Sequence, residues 1–221
     1  MGRSGYACKN VWGAKKESAE ILLGIQRFVT SLVIAETDFR FLRKVDSMEI
    51  RKLENDEYRG IKYHTTYSSC GYYDIEFFGD GFSFVFREFP KPRVFDLSDT
   101  ILSDWLDEPI LFGAFEGEEL LGFSEGFLEK WNARYRISNI CVFQEGSRHR
   151  GTGSLLMERM LHEAEISGAR MAVLETQSCN EHAIAFCRKN GFEVIGFDMY
   201  AYSNDDPERH EMRIEMGRKL I

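Results

Sequence analysis

The first half of the chain is dominated by short apolar and aromatic runs of the kind that form strands. YYDIEFF (72–78) and FSFVFREF (82–89) flank Gly79-Asp80-Gly81, and together they predict a β-hairpin with a short glycine turn. The polar-aromatic segment 55–69 is predicted to be helical or irregular. Four further runs predict strands, the second and third joined as a hairpin at Gly117-Glu118: MEIRKL (48–53), ILFGAFE (110–116), ELLGFSEGFLEKW (119–131) and RISNICVF (136–143).

After residue 150 the pattern changes to helices that alternate with strands. SLLMERMLHEAE (154–165) places its apolar residues on one face and is followed by Gly168, which predicts a helix with a glycine stop. Asn180 is a predicted N-cap for the helix EHAIAFCRKN. Three runs predict the remaining strands: MAVLET (171–176), FEVIGFDMYAY (192–202) and EMRIEMGRKL (211–220). Hairpins followed by strand–helix–strand–helix–strand–strand predict an α/β fold with a sheet of mixed direction and helices on its faces.

Composition narrows the class of protein. The 221 residues are 43% hydrophobic and 29% charged, which is typical of a soluble globular protein with a sizeable core. A net charge of −8 argues against a general nucleic-acid binder and favours cationic partners. The five cysteines are odd in number and lack CxxC spacing, so they predict neither a disulfide framework nor a metal site, and they favour a reducing cytoplasm.

The N-terminal segment contains the only run that resembles a targeting or membrane sequence. Residues 21–35 are largely apolar, but Gln26 and Arg27 interrupt them, which favours an amphipathic or packed extension over a membrane span. We therefore predict an N-terminal extension, residues 1–47, ahead of a domain that comprises residues 48–221.

RHRGTG (148–153) lies between a predicted strand and a predicted helix. A helix N-terminus preceded by glycines binds anions, because its first N–H groups point outward and the glycines let the backbone approach closely. Arg148 and Arg150 would add positive charge. The motif lacks the lysine of a phosphate-binding Walker loop, and Leu156 occupies the third glycine position of the dinucleotide fingerprint. Taken alone, the motif is equally compatible with a tight turn flanked by solvated arginines.

The wider sequence context resembles the GNAT N-acetyltransferase superfamily over about residues 108–220. R-x-x-G-x-G between an apolar strand and an amphipathic helix is similar to that family's acyl-CoA loop. A second signature is similar at Asn180, Ala183, Phe186 and Gly191-Phe192. LETQ (174–177) and the pair Asp198 and Tyr202 resemble the streptothricin acetyltransferase branch. The resemblance implies a mixed, mostly antiparallel central sheet flanked by helices, with a splayed central strand pair.

The resemblance also implies where acetyl-CoA, the cosubstrate, would bind. The strand end at Cys141 and Val142 would pair with the pantetheine arm, and the Val142 N–H would stabilise the oxyanion. The helix that begins at Asn180 would flank the arm with Phe186. The pyrophosphate would lie on the main chain of the loop residues Arg148, His149, Arg150, Gly151, Thr152, Gly153 and Ser154. No metal is implied.

Two positions depart from the family pattern. Cys187 stands where many members carry a tyrosine acid, so it is either the proton donor to the departing thiolate or a small buried residue. Ser138 stands where close relatives often carry a glutamate base. Glu175 is a replacement base or a structural carboxylate, and a water chain from Ser138 or Asn139 is a further route for the proton.

These residues predict a cytoplasmic N-acetyltransferase that transfers acetyl from acetyl-CoA directly to a primary amine of a small cationic molecule. A streptothricin-like antibiotic is one such acceptor, which would make the protein a resistance enzyme. The alternatives are a peptide or protein N-acetyltransferase and a non-catalytic acyl-CoA-binding module. The predicted partners are the amine and, for a homodimer, a second copy of the chain, but neither nucleic acid nor membrane.

Overall fold

The computed structural model describes residues 48–143 and 150–220, so the predicted extension 1–47 and the loop residues Arg148 and His149 lie outside the described residues. The described chain divides into two compact units. We call residues 48–63, 98–143, 150–173 and 219–220 the core unit, and residues 64–97 and 174–218 the hairpin unit.

Nine strands and four helices make up the described chain. In chain order they are β1 (Met48–Lys52), α1 (Asn55–Tyr58), β2 (Lys62–Phe78), β3 (Gly81–Thr100), β4 (Ile110–Glu116), β5 (Glu119–Glu129), β6 (Arg134–Val142), α2 (Thr152–Ile166), β7 (Met171–Gln177), α3 (Glu181–Lys189), β8 (Glu193–Asp198), α4 (Asp206–Arg209) and β9 (Arg213–Lys219).

The core unit is built on an antiparallel sheet with the order β1-β4-β5-β6. The predicted hairpin of β4 and β5 is confirmed, with Gly117 in the left-handed conformation at its turn. β6 also pairs in parallel with β7, but only from Arg134–Met171 to Arg136–Val173, although both strands continue. This short pairing is what a splayed strand pair requires.

Helix α2 packs across β1, β4, β5 and β6 of the core unit. Its apolar stripe is fully or almost fully buried, as the helical spacing predicts, and comprises Leu156, Met157, Met160, Leu161 and Ala164. Burial of each larger side chain contributes about 1.5–3 kcal/mol, so this face holds the start of α2 firmly against the sheet.

The hairpin unit contains the predicted hairpin of β2 and β3, which pair as a separate two-stranded sheet. The prediction for segment 55–69 is only partly correct. Residues 55–58 form α1, but β2 already begins at Lys62. The physical reason is the run Tyr63 to Tyr67, whose aromatic and β-branched residues favour an extended chain once β3 offers a partner.

The remaining strands of the hairpin unit lie in the order β7, β9, β8, with β8 and β9 antiparallel. The predicted mixed α/β fold with a mostly antiparallel sheet and flanking helices is confirmed.

Cys70 on β2 is disulfide-bonded, which the cysteine spacing did not predict, whereas Cys141, Cys179 and Cys187 are free. None of the helices within the described residues is long and apolar enough to span a bilayer.

Candidate functional site

The glycine turn before α2 has the geometry of an anion-binding helix start. Gly151 is the N-cap, with φ +92° and ψ 0°, and its carbonyl accepts the first helical hydrogen bond from the Leu155 N–H at 3.0 Å. This backbone conformation belongs to the left-handed region, which L side chains rarely adopt. The first turn of α2 carries no acidic side chain, so the positive end of the helix dipole is not neutralised by its own residues.

Arg150 at this turn is paired rather than solvated. Its two terminal nitrogens donate to the two carboxylate oxygens of Glu116 at 2.9 and 2.6 Å, which ties the end of the loop to the end of β4. The side chains of Arg150 and Glu116 are 40% and 34% exposed, so the ion pair is a modest stabiliser. Thr152, the first residue of α2, is buried. The predicted contacts of this loop with pyrophosphate stay predictions.

Replacing Gly151 by alanine tests the backbone geometry of the turn. We expect G151A to lower the free energy of unfolding by about 1–2 kcal/mol, the cost of a Cβ in the left-handed region. We expect it also to raise the acetyl-CoA dissociation constant about tenfold, because relief of this strain redirects the N–H groups at the helix start. Calorimetric titration and urea unfolding measure the two effects.

Gly168 provides the matched control for that variant. It has φ +73° just after the other end of α2, and a Cβ there, as at Gly151, would meet open space. G168A should therefore lose similar stability but keep wild-type affinity for acetyl-CoA. Equal loss of affinity in both variants would show that the turn acts only through folding.

Strand β6 changes direction at a β-bulge. Gly126 of β5 faces Ile137 and Glu125 faces Asn139, so Ser138 is an extra residue on β6. In a regular strand, adjacent side chains point to opposite faces. Because of the bulge, the neighbours Ser138 and Asn139 both reach the side chain of Glu125.

Glu125 is a buried carboxylate that the sequence reasoning missed. It is 1% exposed. One oxygen accepts from Asn139 Nδ2 at 2.7 Å and Ser138 Oγ at 3.3 Å, and the other from the Leu102 N–H at 2.7 Å. Burial raises the pKa of Glu125 and outweighs the three hydrogen bonds, which act to lower it. The available signal was a single carboxylate within the apolar run LLGFSEGF (120–127).

Asn139 extends this hydrogen-bonded group toward the surface. Its Oδ1 accepts from the Tyr63 hydroxyl at 2.9 Å, and its Nδ2 also donates to exposed Asp99 at 3.3 Å. Burial, followed by the charges at Cys141, Asp99 and Glu125, raises the pKa of Tyr63, which keeps the phenol protonated as a donor. Half-buried Asn139 thus connects buried Glu125 with exposed Asp99.

The end of β6 carries two residues predicted to meet the pantetheine arm. Cys141 is buried in an apolar cluster that includes Tyr63 and Phe123, and Val142 is half-buried. Gly122 of β5 faces Val142 at this point. The backbone of β5 lies so close that a Cβ on Gly122 would stand 2.4 Å from the Cys141 carbonyl oxygen.

Helix α3 of the hairpin unit begins as predicted. The Asn180 side-chain oxygen accepts from the Ala183 N–H at 3.1 Å, which confirms the N-cap. Phe186 is half-buried. Cys187 is 4% exposed, and burial raises the pKa of its thiol to about 12. The thiol therefore stays protonated at neutral pH. Its assignment as an acid stays a prediction.

Glu175 of β7 is an exposed carboxylate in the hairpin unit. Arg213 of β9 lies 3.6 Å from it and also 3.5 Å from Asp198 of β8, so one guanidinium serves two carboxylates. This pairing provides a structural role for Glu175. The catalytic role suggested for it stays a prediction.

Comparison with known proteins agrees with the fold. No match to the chain was found among curated proteins. Two solved structures are similar over 79% of this chain and 99% of their own. They are a nourseothricin acetyltransferase, with 23% identity and a TM-score of 0.63, and a protein described as a streptothricin acetyltransferase from Bacillus anthracis str. Ames in complex with acetyl coenzyme A, with 22% identity and a TM-score of 0.61.

At these identities the two structures establish the fold alone. The family model "Acetyltransferase (GNAT) family" matches residues 49–192, which is more than half of the chain and includes the strand, the glycine turn and the helix described above. The chain belongs to the GNAT family of acetyltransferases.

Proposed function

We propose that this acetyltransferase transfers acetyl from acetyl-CoA to a primary amine of a small cationic molecule, with streptothricin-like antibiotics as the first acceptors to test. The observation that carries the proposal is the start of α2, the element that follows β6 in the chain, where Gly151 opens a helix N-terminus without first-turn carboxylates. The net charge of −8 and the streptothricin and nourseothricin acetyltransferases of similar fold support the choice of acceptor.

The residues at this turn fit a bound pyrophosphate. Gly151 places no Cβ against an approaching anion, and the helix dipole favours negative charge at this end. Arg150 lies beside the turn in its pair with Glu116. We propose that the pyrophosphate lies on the main chain of residues 148–154, of which the structure describes 150–154. When bound, acetyl-CoA supplies an activated acetyl thioester.

Strand β6 fits the remaining length of the donor. We propose that Cys141 and Val142 pair with the pantetheine arm as an added strand, and that the Val142 N–H stabilises the oxyanion. The contacts with acetyl-CoA that the family resemblance implies for Asn180, the N-cap of α3, and for Phe186 within that helix stay predictions. Direct transfer needs no covalent enzyme intermediate, since alignment of amine and thioester supplies much of the acceleration.

The test is release of free thiol from acetyl-CoA in the presence of an amine panel. The panel contains nourseothricin, an aminoglycoside and a peptide with a free N-terminus. Amine-dependent release with nourseothricin or the aminoglycoside is the expected result. Release with the peptide alone would favour the peptide N-acetyltransferase. Tight acetyl-CoA binding without release for any amine would leave the non-catalytic acyl-CoA-binding module.

Cys187 is expected to affect turnover only modestly. Its buried thiol, with a pKa of about 12, holds a proton at neutral pH, but an unperturbed thiol has a pKa of about 8.5. Proton transfer from Cys187 to a departing thiolate is therefore uphill. We expect C187A to reduce kcat by about tenfold or less in the thiol-release assay. A loss of about a thousandfold with unchanged acetyl-CoA affinity would instead make Cys187 the principal acid.

A further inference from the structure

We propose that Glu125 is a positioning residue of the acetyl transfer, which acts through Ser138 to take up the proton that the acceptor amine releases. The inference rests on the proposed function. It assigns the role of the glutamate base, which Ser138 replaces on β6, to a carboxylate on β5. The residues that carry it all belong to the core unit.

The first argument is the contrast between two glutamates of the same strand. Glu129 accepts from Arg134 at 3.0 Å and Arg136 at 2.6 Å. Burial acts to raise the pKa of Glu129, but the hydrogen bonds from Arg136, Asn132 and Arg134 lower it below its ordinary value. This is the usual solution for a structural carboxylate. Within the part of the chain that the structure describes, the donors to Glu125 are all neutral.

The second argument is the cost of the arrangement around Glu125. A buried carboxylate without a cation is expensive to ionise. Leu102, whose N–H donates to Glu125, has φ +53° while fully buried, a conformation that costs a non-glycine residue about 1–2 kcal/mol. Backbone strain and an uncompensated carboxylate at one place are features that functional sites have and that folding alone does not favour.

The third argument is the position of Ser138. The bulge turns Ser138 toward the Glu125 side chain, and the hydroxyl lies 3.3 Å from its carboxylate and 3.2 Å from its carbonyl oxygen. Ser138 is half-buried, whereas Glu125 is 1% exposed. A hydroxyl both donates and accepts, so Ser138 can connect the buried carboxylate to a group outside it.

The proton then moves in two coupled transfers. An N–H proton of the incoming ammonium passes to a lone pair of Ser138 Oγ as the Ser138 hydroxyl proton passes to Glu125 Oε1. The amine becomes neutral, Ser138 is unchanged, and the carboxylate becomes a carboxylic acid. The neutral amine attacks the thioester, its second N–H proton goes to the departing thiolate, which leaves as the free thiol, and Glu125 then returns its proton through Ser138 to solvent.

The proposal predicts the direction of the pH dependence. Because burial raises the pKa of Glu125, activity should fall on the acid side at a pH above the ordinary glutamate value of about 4.3. The other groups that interact with this carboxylate are Asp99, whose charge also raises its pKa, and the protonated phenol of Tyr63. Arg59 donates to the Leu102 carbonyl at 3.1 Å rather than to Glu125.

The experiment compares E125Q, S138A and wild type as full chains with acetyl-CoA and the best amine of the panel. We expect E125Q to reduce kcat/KM about a hundredfold, the usual contribution of a general base, and to lose the part of the acid limb that titrates with Glu125. Its remaining rate should follow the ionisation of the amine alone. S138A keeps the Leu102 and Asn139 hydrogen bonds of Glu125 and should reduce kcat/KM at least tenfold. Acetyl-CoA affinity, measured by calorimetry, should stay within threefold in both.

E129Q is the matched control on the same strand. It should lose stability with its arginine pairs, yet retain the acid limb and most of kcat/KM. Wild-type kcat/KM and an intact acid limb in E125Q, or undiminished kcat/KM in S138A, would overturn the inference while leaving the proposed function standing. Failure of the wild-type chain to acetylate any amine would instead contradict the proposed function, and this inference with it.

Discussion

Replacement of Gly122 by valine is expected to lower the free energy of unfolding by about 3 kcal/mol and to impair acetyl-CoA binding more than tenfold. A Cβ at this position would stand 2.4 Å from the Cys141 carbonyl oxygen and 3.0 Å from the Val142 Cα. Both are backbone atoms, which cannot turn aside as a flexible side chain can, so β6 itself must shift. The cost is therefore expected at the upper end of overpacking effects.

The affinity should fall because Cys141 and Val142 are the residues proposed to pair with the pantetheine arm. Urea unfolding and calorimetric titration measure the two losses. Gly196 of β8 is the matched control, since it is another strand glycine, and a Cβ there would meet only Glu215 side-chain atoms, at 3.6 Å and beyond. G196V should change stability by less than about 1 kcal/mol and leave acetyl-CoA affinity unchanged. Wild-type stability of G122V would contradict the close approach of β5 and β6.

Replacement of Asp206 by alanine is expected to lower the free energy of unfolding by about 3 kcal/mol, although the residue lies in the four-residue helix α4 near the C-terminal strand β9 in sequence. Asp206 is fully buried. Its carboxylate accepts from the Tyr202 N–H at 2.8 Å and the Ser203 hydroxyl at 2.7 Å, which closes the turn before α4. Removal of the carboxylate leaves these donors without a charged acceptor. Asp205, which is exposed and makes no side-chain cap, is the control, and D205A should be nearly neutral.

The effect of Asp206 should depend on pH in a defined direction. Burial acts to raise the pKa of Asp206, but the hydrogen bonds from Ser203 and from the Tyr202 backbone outweigh burial and lower it. Because the folded-state pKa lies below the unfolded one, the carboxylate contributes its full stability above about pH 4 and loses it as the pH falls through the folded-state value. The stability gap between wild type and D206A should therefore be constant at neutral pH and shrink in acid. A gap that grows in acid would contradict this assignment.

Much of the fold could be predicted because local patterns and tertiary pairing agree. The stripe of α2 has helical spacing and is buried as a stripe. The Gly79 turn joins two aromatic strands, and the Asn180 cap receives the hydrogen bond that its position predicts. Segment 62–69 could not be assigned in the same way, because its strand conformation depends on pairing with β3, which starts at Gly81 and continues to Thr100.

In the candidate site, too, some features follow from neighbouring residues and others depend on strand pairing. The sequence by itself determined the family and the start of α2, because a glycine with positive φ, a capping asparagine and an apolar stripe are properties of neighbouring residues. Only the tertiary structure decided which carboxylate lies beside Ser138. Glu125 is 13 residues away, and the bulge that brings the two side chains together exists only when β5 and β6 are paired. The physical reason is that the hydrophobic periodicity of a sequence indicates which face of a helix or strand is buried. Which side chains on that face come into contact is set by the pairing of the strands.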